Sequence, residues 1–410
     1  MSRALVLGLL IATLPAAPAA AKGGPSPAAT RYEVRLEVDT RSGTLAAETV
    51  VRLAPAEVRP EQRFQLGSAY EVDRLWAEGG QIELIRKGGR YQEVVVRDDP
   101  APGPVRFGLS YAGTLLPTGT PPLNVISPDL VELNLDSAWI PVRSDFTLNF
   151  SSELTIAGLP RDAVVVSQGR VARWGETISV TRDVADFDLA FAAAPGLKRV
   201  RSAGLEFYGR EPDGPVERTY RRHATRSLRF LERWFGRTPG RPVRVVLVDR
   251  ERTSGYARRG YVVVTRGREG AEPGIAKFVA HEFAHAWSPR ADPMSENHWL
   301  VESVTEYVAL RYIEAELGIA ARDDMLRTKA LSAADAPPVL GGGRRRDAVL
   351  YDKGCLLLFD LERRIGRTRM DALLVRTTRR QAATTAAFLE MLKQTEGAET
   401  AAWFEDTLRR

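Results

Sequence analysis

The sequence predicts an α+β protein of two domains, an all-β domain over residues 31–198 followed by an α-rich domain with a small sheet over residues 199–410. Three observations carry this. From Tyr32 to Val38 apolar and polar residues alternate with period two, the mark of a half-buried strand. Related short patterns recur at 48–53, 82–85, 93–97, 105–111, 146–156, 163–167, 177–181 and 186–190, separated by Gly, Pro, Asn and Asp turns. After about residue 200 the period changes. Val216 to Phe235 is amphipathic with helical spacing, and further helices are expected near 273–287, 298–316, 348–365, 367–380 and, in pieces, 385–409. Between the first of these helices and the rest, Val243 to Val248 and Gly260 to Val264 are short apolar runs that predict two strands.

The 410 residues give room for two or three domains, each able to bury its own core. The first twenty-one are expected to leave. Arg3, an apolar stretch from Ala4 to Leu14, a Pro break and Ala19-Ala20-Ala21 have the order of a signal peptide with its small-residue cleavage site, and 22–30 have linker composition. No later stretch approaches the roughly twenty apolar residues of a membrane span, so the expectation is a secreted or periplasmic protein, with no membrane association after cleavage. Another loop is expected at Pro337-Pro338, Gly341 to Gly343 and Arg344 to Arg346, ahead of the 348 helix. The +6 charge is spread among 52 acidic residues and does not imply nucleic acid. With Cys355 the sole cysteine, disulfides and multi-thiolate metal sites are excluded, so a metal site here uses His and carboxylates.

His281-Glu282-Phe283-Ala284-His285 is the one pattern that specifies a reaction. On a helix opened by Pro273 and Gly274, two His four residues apart project from one face and reach a single ion. Glu282 lies about 100° around the helix, placed to meet a water on the open side of the metal. Zinc needs a third protein ligand and an open fourth position. No third His lies in the motif, so a carboxylate is expected. Glu302 and Glu306 share one face of the next helix; Glu302 is taken as the ligand and Glu306 as the group fixing the tautomer of a ligand His. His298, four residues before Glu302, is expected behind the ligands, as a competing ligand or as a polar residue opening the helix, and His223, beside Arg221 and Arg222, on the surface. Cys355, in an apolar run, is expected to be a buried, inert thiol.

With these residues in view, the chain resembles the aminopeptidase N family of gluzincin zinc peptidases. His281 to His285, Trp299-Leu300-Val301-Glu302 and Tyr351-Asp352-Lys353-Gly354 carry the resemblance. It implies a saddle-like N-terminal β domain, a thermolysin-like catalytic domain and one Zn2+ per chain. Tyr351 takes the role of donating a hydrogen bond to the oxyanion of the tetrahedral intermediate. It also implies that Gly255, Tyr256, Ala257, Arg258 and Gly260 lie along the substrate. Nothing of the sequence remains for the helical C-terminal domain of longer members.

Two departures stand out. Sixteen residues separate His285 from Glu302, a shorter spacing than the family's; moving the ligand to Glu306 would lose the Trp-Leu-x-Glu match. The family's G-x-M-E-N motif is replaced. Aligned on Gly255, Ala257 stands at its methionine and Arg258 at the glutamate that binds a substrate's free amine. A cation there would repel an ammonium and attract a carboxylate, unless Arg258 and Arg259 point to solvent.

The expectation is therefore a zinc metallopeptidase acting on peptide or protein substrates, aminopeptidase-like or an endopeptidase, with Glu282 as general base and Tyr351 as oxyanion donor. The rival is a non-enzyme, a zinc scaffold that grips peptides without cutting them. A third reading is hydrolysis of a non-peptide bond such as an epoxide at the same site.

Overall fold

The computed structural model describes residues 29–410 apart from 87, 99–104, 116–122, 203, 239, 251–253, 268–270, 290, 294 and 343–346. The signal peptide, most of the linker and the Arg344 to Arg346 run lie outside the described residues. Among the described residues no helix is long and apolar enough to cross a membrane.

The architecture is α+β, with a β-rich N-terminal half and a helical C-terminal half. Strand Arg31–Asp39 buries Tyr32, Val34, Leu36 and Val38, as its alternation requires. It sits inside a seven-stranded sheet that ends at Arg170–Trp174 on one side and Tyr70–Glu78 on the other. Two four-stranded sheets complete this half. One contains Val131–Leu133 and has Ala163–Ser167 at its edge.

A five-stranded sheet opens the second half in the order Lys198–Ser202, Leu205–Gly209, Val243–Asp249, Tyr261–Arg266 and Gly255–Arg258. Both its faces are covered. Phe207, Val245 and Val262 pack in the core of the helical half, while Val246, Tyr261 and Val263 pack against Val166, Ala192 and Ala194 of the N-terminal half. Two-sided burial is why the central strands are continuous apolar runs. Two strands of this sheet escaped the sequence reading, because Lys198–Ser202 is an exposed, basic edge and Leu205–Gly209 is only five residues long, while Gly255–Arg258 lies where the family resemblance places the strand before the metal helix.

The α-helices among the described residues are α1 (Pro215–Phe235), α2 (Glu272–Ala284), α3 (Trp299–Leu317), α4 (Ile319–Ala333), α5 (Gly354–Ile365), α6 (Arg367–Arg380), α7 (Thr385–Glu396) and α8 (Ala398–Arg409). Helix α4 was not expected. Its residues show no apolar stripe, and Lys329 alone is buried among them. The expected 348–365 helix starts as a wider, π-type segment over Ala348–Lys353. Helix α3 is buried on nearly every side and forms the centre of this half. Cys355 is buried, as expected.

His223 corrects the sequence reading. It is fully buried on the inner face of α1, with Nδ1 2.8 Å from the Tyr312 hydroxyl and Nε2 3.1 Å from Glu272 Oε1. Its arginine neighbours in sequence lie around the helix on other faces, so they say nothing about its exposure.

Candidate active site

Helix α2 buries Ile275, Val279 and Phe283 in the core and carries His281 and Glu282, both also buried. It ends at Ala284, earlier than its pattern suggested, and His285 is the capping residue. Trp299, whose indole N–H donates to Thr385 Oγ1 at 2.9 Å, anchors the start of α3 and sets Glu302 opposite the two imidazoles. His281 Nε2 is 3.3 Å from Glu302 Oε2, and His285 Nε2 is 3.8 Å from the same oxygen. One ligand atom from each residue lies within 4.8 Å of the other two.

Glu302 Oε2 is buried yet aligned for a hydrogen bond with neither imidazole. With the two ring nitrogens it forms a close cluster of candidate ligand atoms, as in a cation site. Burial opposes charge on His281, but Glu302 and Glu306 on its two sides outweigh it and push its pKa up to about 10. Burial pushes His285 down to about 4, so this ring is neutral and able to ligate. Two imidazoles, one carboxylate and a local preference for positive charge fit a divalent ion of the zinc type.

Around these three the structure adds a second layer. Glu306, fully buried, accepts from His281 Nδ1 at 2.8 Å and from Lys277 Nζ at 2.7 Å. Lys329 reaches the same carboxylate at 2.6 Å. His298 Nε2 lies 3.3 Å from Glu302 Oε1, the oxygen turned away from the other two rings. Tyr351, on the π-type segment, has its ring centre 5.6 Å from that of His281. Burial and the carboxylates of Glu302 and Glu282 hold its phenol protonated, able to donate.

Glu282 has one oxygen buried without a hydrogen-bond partner, and burial pushes its pKa up to about 7 against the pull of His281 and Arg258. Gly255 makes room for it: a Cβ there would lie 2.8 Å from Glu282 Oε1 and 2.8 Å from the Val263 carbonyl oxygen. Among the described residues the Gly255–Arg258 strand is the edge of its sheet on this side, paired with Tyr261–Arg266 alone.

Comparison with solved structures fits this arrangement. A zinc metallopeptidase of the M1 family from Deinococcus radiodurans superposes with a TM-score of 0.74 at 18% identity, over 93% of this chain and 95% of that one. The chain has the M1 zinc metallopeptidase fold. A mutant of that enzyme with a bound Tyr-Ser-Ala substrate matches with a TM-score of 0.71, and native leukotriene A4 hydrolase from Saccharomyces cerevisiae with 0.74 at 16% identity, over 93% of this chain and 68% of the hydrolase. No family model matches the sequence, and neither does any curated protein.

The residues expected to lie along a substrate divide. Tyr256 is packed between the two halves, near Tyr261. Gly260 adopts φ 67° in the turn, where a Cβ would strike the Gly240 carbonyl oxygen. Ala257 is half-buried against the core. Arg258 does not point to solvent. Its Nε donates to fully buried Asp188 Oδ2 at 2.6 Å, and its guanidinium lies 5.0 Å from the Phe187 ring and 4.9 Å from that of Tyr256. Burial disfavours its charge, but Asp188 and Asp136 outweigh that and keep it protonated. Arg259 is exposed, its backbone N–H donating to Asp186.

Sequence reasoning missed Lys277, Lys329, Asp188 and the buried Arg250–Glu132 pair. Each partner is far away in the chain, and no local spacing announces it.

Proposed function

We propose that this chain is an exported zinc-dependent metallopeptidase, aminopeptidase-like but with altered recognition of the substrate's amine. The observation that carries the reading is the convergence of His281, His285 and Glu302 beside a buried, unbonded carboxylate oxygen of Glu282. His281, His285 and Glu302 would hold the ion, one per chain. Bound there, zinc supplies Lewis acidity that polarises a carbonyl and acidifies water.

The side chains do the rest. Glu306 holds His281 in the tautomer that presents Nε2. Glu282, poised near neutrality, takes a proton from the attacking water and returns it to the leaving amine. Tyr351 donates its phenolic hydrogen to the developing oxyanion. The open edge of Gly255–Arg258 offers main-chain groups to an extended peptide. Tyr256 and Gly260 support that strand rather than touch substrate. Arg258 supplies no carboxylate for an ammonium, and its own charge is committed to Asp188. The Tyr-Ser-Ala complex of the M1 neighbour supports peptides as the substrate class.

The test is a cleavage assay on the mature chain with zinc, comparing a free-N-terminus peptide with its N-acetylated twin. Both are expected to be cut, with little preference for the free one, and Glu282→Gln is expected to lower turnover roughly 10²–10⁴-fold while zinc stays bound. Strong preference for the free peptide would overturn the altered-recognition part. No cutting by the zinc-loaded chain would leave a peptide-binding scaffold.

A further inference from the structure

At the opposite edge of the five-stranded sheet from Gly255, about four strand spacings or roughly 19 Å away, lies a groove of about 580 Å3. One wall is the Lys198–Ser202 edge and its neighbours, the other the Ala163–Ser167 and Arg170–Trp174 edges. Three sheets thus present edge strands at one place.

Charge in the groove is one-sided. Its lining includes Arg170, Arg199, Arg201 and Arg244 and one carboxylate, Glu206. Register explains the clustering: Arg201, Glu206 and Arg244 stand side by side on three neighbouring strands, and Arg199 pairs with Tyr208. Glu206 accepts from Arg201 Nε at 3.1 Å and from Arg244 Nε at 3.3 Å, with Arg199 Nη1 at 3.7 Å. Three guanidiniums share one carboxylate. Arg199 and Arg201 are nonetheless 45% and 67% exposed, so their remaining donors face water. The opposite wall carries Val164 and Val171 beside Arg170, which is paired with Asp183 at 3.5 Å, while Val166 is buried behind them against Val246. Val171 is 41% exposed on a strand whose five residues are all exposed.

We propose that this groove docks an extended acidic segment of a partner polypeptide, which adds as a strand to the Lys198–Ser202 edge. An added strand turns alternate residues to opposite faces. Acidic residues at one parity meet Arg199 and Arg201, which lie two apart on the same face, and residues at the other parity turn to the opposite face of the sheet. The charge excess selects Glu or Asp, and the free edge selects an extended backbone. This docking is independent of the chemistry at Glu282.

The experiment is fluorescence anisotropy of an N-acetylated, C-amidated eight-residue peptide alternating Glu with Val, titrated with the full mature chain carrying Glu282→Gln so that it is not consumed. A peptide with Lys for Glu and one with N-methylated alternate amides serve as probes of charge and of strand pairing. The Glu peptide is expected to bind at least about tenfold more tightly than either, and Arg199→Ser with Arg201→Ser to weaken it about tenfold. Equal binding of the Lys peptide, an unaffected double variant or full binding of the N-methylated peptide would each overturn the proposal. Binding of decanoate without binding of the Glu peptide would also overturn it, in favour of a small amphiphilic anion.

Discussion

Lys329 Nζ lies 2.6 Å from Glu306 Oε1 and donates to the backbone carbonyl oxygen of Tyr351 at 3.0 Å. A single ammonium therefore ties the carboxylate behind His281 to the backbone that carries the tyrosine. It also donates to Asp352 Oδ1 at 3.0 Å, and Glu306 in turn outweighs burial in keeping it charged. Lys329→Met would leave Glu306 with Lys277 and His281 as its partners and loosen the Tyr351 segment, which would keep the 2.7 Å bond from Ser332 Oγ of α4 to Asp352 Oδ2. A loss of roughly 10–100-fold in zinc affinity or turnover is expected, the usual scale for groups that orient ligands. Competition with a chelator measures the first and steady-state kinetics the second. Wild-type values in both would show that α4 merely packs there.

Gly255 is the next point of leverage. A methyl group there meets Glu282 Oε1 and Cδ and the Val263 carbonyl at once, and the carbonyl belongs to the sheet and cannot swing aside. Glu282 must move instead. Gly255→Ala is expected to lower kcat by one to two orders of magnitude, as roughly 1 Å of misplacement does elsewhere, while zinc content is retained because the three candidate ligands are untouched. Metal analysis beside kinetics separates this outcome from simple unfolding.

How much of this was legible beforehand depends on distance along the chain. His281, Glu282 and His285 lie within five residues, so their spacing alone puts them in one frame, whereas Glu302 is singled out from Glu306 on the same helix by the Trp-Leu-x-Glu match. Lys329 is different. It sits on a helix without an apolar stripe, where one buried lysine among exposed neighbours leaves no periodic trace. The burial of His223 is not announced by its basic neighbours, because successive helical residues face about 100° apart and an exposed Arg beside it does not decide which way the imidazole turns. The sheet was half legible. Its central strands are buried on both faces and stand out as valine runs, whereas the Lys198–Ser202 edge is basic and reads as loop.

Arg258 allows a sharper test than its position in the motif suggests. Its partner Asp188 is fully buried, so removing the guanidinium takes away the carboxylate's hydrogen-bonded ion-pair partner and leaves Arg182 as the cation beside it. Arg258→Met is expected to cost about 3–5 kcal/mol of stability, measured by denaturant unfolding. Arg258→Met with Asp188→Leu is expected to recover much of that, since an apolar pair of similar size replaces the ion pair. Arg258→Met with unchanged stability but altered KM would instead make Arg258 a substrate-facing group.

The last prediction concerns pH and stands apart from the metal. His223 is buried in α1, and burial, reinforced by nearby Arg222, lowers its pKa below the ordinary 6.5, while Glu272 and Glu316 act in the opposite direction without reversing it. The unfolded chain binds this proton more readily than the folded one. In the window below pH 6.5 the unfolded state therefore holds more protons, and stability rises with pH. The contribution of His223 is fully present above 6.5 and is lost as pH falls through that value toward the lower folded pKa. His223→Gln, which keeps a polar group near Tyr312 and Glu272, is expected to be less stable than wild type at pH 7.5 but to lose less between pH 7.5 and 5. Urea midpoints at these pH values, with zinc saturating throughout, give the difference. Parallel loss in the two proteins would show that the His223 imidazole keeps an ordinary pKa and that its burial leaves no mark on acid stability.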